Sequence, residues 1–171
     1  MMKKISKIWS VLLVFGLLLT VYVTNPSLLQ STKLNVFDSY QKFGTNYQSK
    51  SLILLDISDA ALKKQGQWPW KRDVLGRTII NAYKNGAALV VLQVVFPHKD
   101  RLGGDAMFLK MISKYPVILT ETNEVKNLTS IERKALAIGN VSVPIDIDGT
   151  IRKLPLDGSI PEVILKVIKF D

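Results

Sequence analysis

The sequence predicts an α/β protein: a three-layer domain with a mainly parallel sheet and a late antiparallel hairpin, preceded by an N-terminal transmembrane helix. Three observations predict it. Short apolar runs at residues 51–57, 88–96 and 116–120 alternate with stretches whose apolar residues recur at helical spacing. An Asp148-Gly149 pair sits between two further apolar runs, the form of a tight hairpin turn. Residues 8–23 carry no charge and follow Lys3, Lys4 and Lys7.

The chain divides into a cytoplasmic tail at 1–7, an anchor at 8–25, a membrane-proximal helix at 26–44 and a second domain at 45–171. Trp9 and Tyr22 lie near the ends of the apolar stretch, where interfacial aromatics are favoured. Val21-Tyr22-Val23 is too bulky for the small-residue cleavage site of a signal peptide, so the span is expected to stay attached. The positive-inside rule leaves the lysines in the cytoplasm and the rest outside the membrane. Asn25 is the expected cap of the next helix, with Pro26 at its first position. Leu28, Leu29, Phe37, Tyr40 and Phe43 give that helix an apolar stripe.

A polar stretch, 45–50, leads to the first expected strand, 51–57, which ends in an acid. A short helix at 60–64 stops at Gly66. After Gln67-Trp68-Pro69-Trp70-Lys71-Arg72 an amphipathic helix is expected over 73–85, stopped by Asn85-Gly86. The second strand, 88–96, ends at Pro97, and Gly103-Gly104 precedes a helix over 105–114. The third strand is 116–120. Thr129 and Glu132 have the spacing of a capping box for a short helix to 137. The hairpin strands are 141–145 and 151–156, and a last helix or strand fills 160–170.

Composition narrows the function classes. The chain has no cysteine and a single histidine, His98, so thiolate metal sites, disulfides and cysteine nucleophiles are excluded. Lys+Arg 23 against Asp+Glu 14 gives +9, which favours anionic surroundings. The basic residues are scattered and do not alternate with aromatics, so anionic lipid or cell wall fits better than nucleic acid. No nucleophile, base and oxyanion hole assemble, no phosphate loop is present, and no metal or other cofactor is implied; the chain is expected not to be an enzyme. His98 is expected to be solvated. Asn127-Leu-Thr129 and Asn140-Val-Ser142 match the glycosylation sequon, which is common by chance.

In an open parallel sheet the crevice beyond the carboxyl ends of the strands is where ligands bind. Asp56, Asp59, Trp68, Trp70, Arg72 and Asp105 fall there. They form either a ligand pocket with Trp70 as a stacking wall, or a structural cluster. In the second case Arg72 pairs with Asp56 or Asp59, Asp73 and Asp105 complement helix dipoles, and the tryptophans belong to the core. A cation held by Asp56, Asp59 and Asp105 would not follow a known calcium or magnesium loop.

Leu52-Ile-Leu-Leu-Asp56-Ile-Ser-Asp59, Gly66-Gln-Trp-Pro-Trp-Lys-Arg72 and Asn85-Gly86-Ala87 with the strand ending in Phe96 resemble the CHASE sensory domain of the second type. The resemblance continues through Gly104-Asp105-Ala106, Pro116-Val-Ile-Leu119, Gly139-Asn140-Val141 and Asp146-Ile-Asp148-Gly149-Thr-Ile-Arg152. It covers about residue 38 to the C-terminus. It implies an extracytoplasmic module of bacterial cyclases and kinases, and it marks Asp56, Trp68, Trp70, Arg72 and Asp148 as matching positions. Ser58, Leu75 and Gln93 stand where that family usually has an acid, often a histidine, and usually an aspartate, so no family ligand is carried over.

The expected function is a membrane-anchored extracytoplasmic sensory or ligand-binding domain lacking its own output. Its expected partners are the membrane, an unknown small ligand, and a homodimer or partner signalling protein. The rival readings are an exported envelope-associated structural protein and the N-terminal fragment of a larger cyclase or kinase receptor.

Overall fold

The computed structural model of the chain describes residues 2–24, 26–44, 49 and 51–168. The cap expected at Asn25 and the end of the tail beyond 168 lie outside these residues. Two compact units divide the chain, Met1–Ile53 and Leu54–Asp171.

The first unit holds two helices, α1 (Met2–Thr24) and α2 (Ser27–Lys42). From Ile8 to Thr24 every side chain of α1 is exposed, among them Leu13, Leu17 and Tyr22. The Thr20 and Thr24 hydroxyls donate to the carbonyls of Gly16 and Thr20 at 2.8 and 2.7 Å, so neither needs a solvent partner. Among the described residues no single helix is long and apolar enough to cross a membrane. Ile8–Thr24 and Leu29–Lys42 pass that test together as a pair bent by 74°.

The second unit is a mixed helix and strand domain. Ser58 caps α3 (Asp59–Gln65) through a hydroxyl that accepts from Ala61 N at 3.4 Å, and Gly66 ends it at a φ of 89°. Helix α4 (Arg72–Lys84) begins one residue before the expected start and stops at Asn85-Gly86. Then come β1 (Val90–Leu92), α5 (Asp105–Lys114), β2 (Val117–Glu121), α6 (Thr129–Glu132), β3 (Ala137–Asn140) and α7 (Ile160–Ile168).

The three strands form a small parallel sheet in the order β1-β2-β3, with Val91 opposite Ile118 and Leu119 opposite Ile138. Val117, Ile118, Leu119 and Thr120 are all buried, so the central strand is covered on both faces. Leu75 and Ile79 of α4, Phe108, Met111 and Ile112 of α5, Phe96, Ile131 and the Val117/Leu119 face of β2 make the core. Helix α7 packs on β3, where Gly139 leaves room for it. A Cβ at that position would stand 2.3 Å from Ile160 Cδ1 and 3.1 Å from its Cα.

Four expectations require correction. Residues 52–57 carry no regular secondary structure and, among the described residues, pair with no strand, and Leu52, Ile53, Leu54 and Leu55 are 68–86% exposed. An apolar run becomes a strand only where a neighbour completes its hydrogen-bond ladder, and among the described residues β1 pairs with β2 alone. The hairpin is reduced to its turn: Gly149 N donates to Asp146 O (2.9 Å) and Asp146 N to Thr150 O (3.0 Å). Its incoming arm is engaged elsewhere, because Val141 N donates to Glu121 O of β2. The stretch expected to finish a helix at 137 opens β3 instead. Thr129 is the first residue of α6 rather than its cap, and the cap position, Leu128, provides no side-chain bond.

Candidate functional site

Arg72 is the centre of the polar structure in the second unit. Opening α4 at the edge of the core, it is 7% exposed, and its guanidinium lies 5.0 Å over the Phe96 ring. One terminal nitrogen, Nη1, donates to Asp105 Oδ1, and Nη2 donates to the backbone carbonyl of His98. The Arg72 amide donates to Asp100 Oδ2 at 2.8 Å. That same oxygen accepts from Gly104 N at 2.9 Å, and Asp100 Oδ1 accepts from Leu102 N at 2.9 Å. The Asp100 amide in turn donates to Asp105 Oδ2 at 3.0 Å. Thus the start of α4, the loop after β1 and the start of α5 are tied into one closed network.

Burial alone would raise the Asp100 pKa. Three backbone N–H groups and the Arg72 charge outweigh it and hold this carboxyl below the ordinary aspartate value. Gly104 is required by the close approach of the two helix starts. A Cβ there would stand 2.5 Å from Asp73 N, 2.8 Å from Arg72 N and 2.7 Å from Asp100 Oδ2.

This arrangement decides several expectations about individual residues. Arg72 does pair with an aspartate, but with Asp105, not with Asp56 or Asp59. Asp56 is exposed in the irregular segment before α3 and Asp59 is exposed in the first turn of α3, and neither enters the Arg72 network. Asp73 and Asp105 both lie in first helical turns, as expected, and Asp73 also bonds Arg77 at 3.0 Å. Trp70 is half-buried against the core and donates from Nε1 to Gly66 O at 2.7 Å; Trp68 is 36% exposed. Their rings pack edge-to-face, with centroids 5.7 Å apart and planes at 71°. Among the described residues no group of three His, Asp or Glu side chains could hold a metal ion.

Asp148 sits in a second arginine network. Arg152 donates to both of its oxygens, at 2.9 and 2.6 Å, and to Asp146 Oδ2 at 3.0 Å. The Arg152 bond holds the Asp148 carboxyl well below the usual carboxylate range. The three positions of departure are accounted for locally. Ser58 is a helix cap, Leu75 is core and Gln93 is exposed.

Sequence reasoning missed Asp100 and Asn127. Asp100 is one acid in a charged loop, and nothing in its neighbourhood announces three converging amides. Asn127 is buried and bridges two segments: its Oδ1 accepts from Phe96 N at 2.8 Å, and its Nδ2 donates to Thr120 O at 2.9 Å. The sequon there marks a structural asparagine. At the other sequon, Asn140 donates to Asn123 Oδ1 and accepts from Ser142 N, both at 2.6 Å.

The family model of the CHASE2 domain matches residues 11–169. No curated protein and no solved structure matches the chain.

Proposed function

The chain belongs to the CHASE2 domain family, a family of sensory extracellular domains, and on that premise we propose that it is a membrane-anchored extracytoplasmic sensor of bacterial signal transduction. The observation that carries this reading is the family match over residues 11–169. In the reading, α1 is the membrane span, Lys3, Lys4 and Lys7 stay in the cytoplasm, and the unit Leu54–Asp171 receives the signal outside. The α1 surface supports it: a charge-free stretch with all its described side chains exposed suits lipid, and its threonine hydroxyls are bonded within the helix. Ile8–Thr24 rises about 25 Å, a few ångströms short of a hydrocarbon core of about 30 Å. A mismatch of that size is met by local thinning and by flanking anchors such as Trp9.

The Arg72 network is closed by the chain's own acceptors and braces the fold. Asp56, Asp59 and Trp68 remain exposed to solvent and are the candidates left to meet a small ligand. A signal then shifts the population of two conformations, and α2 is the element that passes the change toward the membrane.

Extraction of membranes tests the anchor. The reading expects the chain to stay in the pellet through about 0.5 M salt, where surface attractions are screened, and through alkaline carbonate. Release by salt alone contradicts it and favours an envelope protein held by charge.

A further inference from the structure

The β1 edge of the parallel sheet carries backbone groups without a ladder partner. Val90 N donates to Pro116 O at 3.2 Å, and in a parallel ladder alternate residues of a strand face a given neighbour. Val90 and Leu92 therefore bond toward β2, while the N–H and carbonyl of Val91 point to the outer side, where no strand lies among the described residues. In the same unit Leu54-Leu55-Asp56-Ile57 leads into α3 as an irregular segment, with Leu54 and Leu55 86 and 68% exposed. We infer that residues 54–57 are a strap that closes on this edge as a fourth parallel strand, so that the domain has two states, strap open and strap closed.

Chain topology selects this segment as the occupant. Helices α4 and α5 pack on each other and on one side of the sheet, since Leu75, Ile79, Phe108 and Ile112 share a core with the Val117/Leu119 face. Crossovers between parallel strands of one sheet are right-handed. On that side β1, α5 and β2 make such a crossover, which advances from β1 to β2. A parallel strand feeding α4 on the same side must advance in the same direction, so its place is beyond β1, opposite β2. Residues 54–57 are the apolar run that precedes α4. The connection 58–89, which holds α3 and α4, exceeds the roughly dozen residues that a parallel crossover needs. Closure gives the Val91 N–H and carbonyl their partners and withdraws Leu54 and Leu55 from water. Because β1 is three residues long, it adds only a few ladder bonds against the entropy of ordering the strap, which keeps the open state accessible. Closed, the strap carries Asp56 to the carboxyl end of the sheet, where open parallel sheets take ligands. A signal bound there holds the strap closed; this use, unlike the closure itself, rests on the sensor reading.

The chain has no cysteine, so engineered pairs report closure in the detergent-solubilised full chain. Val91→Cys is combined with Leu54→Cys or with Leu55→Cys, one of which shares its side of the sheet whatever the register. The control joins Leu55→Cys to Leu136→Cys, just before β3 on the opposite edge. Under mild oxidation one Val91 pair is expected to form an intrachain disulfide about tenfold faster than the control, because the bond needs Cα atoms within about 7 Å. A second measurement needs no cysteine: hydrogen exchange at the Val91 amide is expected to be about tenfold faster in a Leu54→Asp, Leu55→Asp double variant than in wild type. Both leucines are exposed with the strap open, so that variant keeps the rest of the fold. Equal disulfide rates for all pairs, disulfides between chains instead of within one, or Val91 exchange unchanged in the double variant would each overturn the inference. Both readouts lie within the second unit, so a chain that washes off membranes yet closes its strap sinks the anchor reading alone.

Discussion

The two arginine networks of the second unit use the same chemistry at different ranges. Arg72 bonds residues 26 to 33 positions away in the chain, whereas the described acid partners of Arg152 are Asp148 and Asp146, four and six positions away. The side chains of both arginines are withdrawn from solvent, at 9 and 6% exposure, but their acids differ: Asp105 is 27% exposed and Asp148 is 37%. The network that spans elements is the one that holds the domain together. Arg72 joins two helix starts and a loop, so its loss separates elements. Through its described bonds Arg152 holds Asp146 and Asp148 of one turn, acids that can be rehydrated where they stand.

The largest expected effect is therefore Arg72→Ala, which leaves Asp105 and the His98 carbonyl without their partner. It should cost about 3 kcal/mol, the low end for breaking a buried ion pair because Asp105 keeps some solvent. Thermal and denaturant unfolding of the detergent-solubilised full chain reads it, and an unchanged midpoint would show that the network is not a brace. Gly104→Ala comes next, at about 2 kcal/mol, since its Cβ meets the backbone nitrogens of Asp73 and Arg72 as well as the Asp100 carboxylate that accepts from Arg72 N.

Acid should act on the first network by way of Asp100. Its pKa is lower folded than unfolded, so its contribution is present above the unfolded value of about 4 and is lost as pH falls through the folded value. The wild-type chain is expected to lose more stability on acidification in that window than an Asp100→Asn variant. Parallel curves would remove Asp100 from the account. The smallest expected effect is Arg152→Ala. The unfolding midpoint should fall less than in either variant above, while the Asp148 carboxyl, followed by NMR, returns toward the ordinary aspartate range. A drop as large as that of Arg72→Ala would erase the contrast between the networks.

Much of the second unit was legible in the sequence because helical period and stop signals coincide there. The α4 pattern ends at Asn85-Gly86, and α5 is the apolar face of Phe108, Met111 and Ile112. The β2 run is buried along its length as an apolar strand should be. Residues 52–57 are as apolar as β2, yet Leu54 is 86% exposed and Leu119 is fully buried. Composition is the same in kind; a ladder partner is what differs, and no local pattern reveals it. Strand β3 was hidden for the opposite reason. Ala137-Ile138-Gly139-Asn140 has one large apolar residue, and its strand character depends on β2 beside it and on Ile160 packing over Gly139. At the site, Arg72 and Asp105 were identifiable as polar residues at helix starts. That they pair with each other follows from how closely Gly104 lets those starts approach.

The central claim is that α1 anchors the chain and the Leu54–Asp171 unit lies outside the membrane. The most direct measurement is labelling of intact cells stripped to their cytoplasmic membrane with a maleimide that cannot cross lipid. The cysteine-free chain carries one new cysteine, Lys134→Cys on the domain surface or Ser6→Cys before the span. The account predicts that Lys134→Cys is labelled in intact cells and Ser6→Cys only after lysis. The reverse pattern, or labelling of both only after lysis, would contradict it.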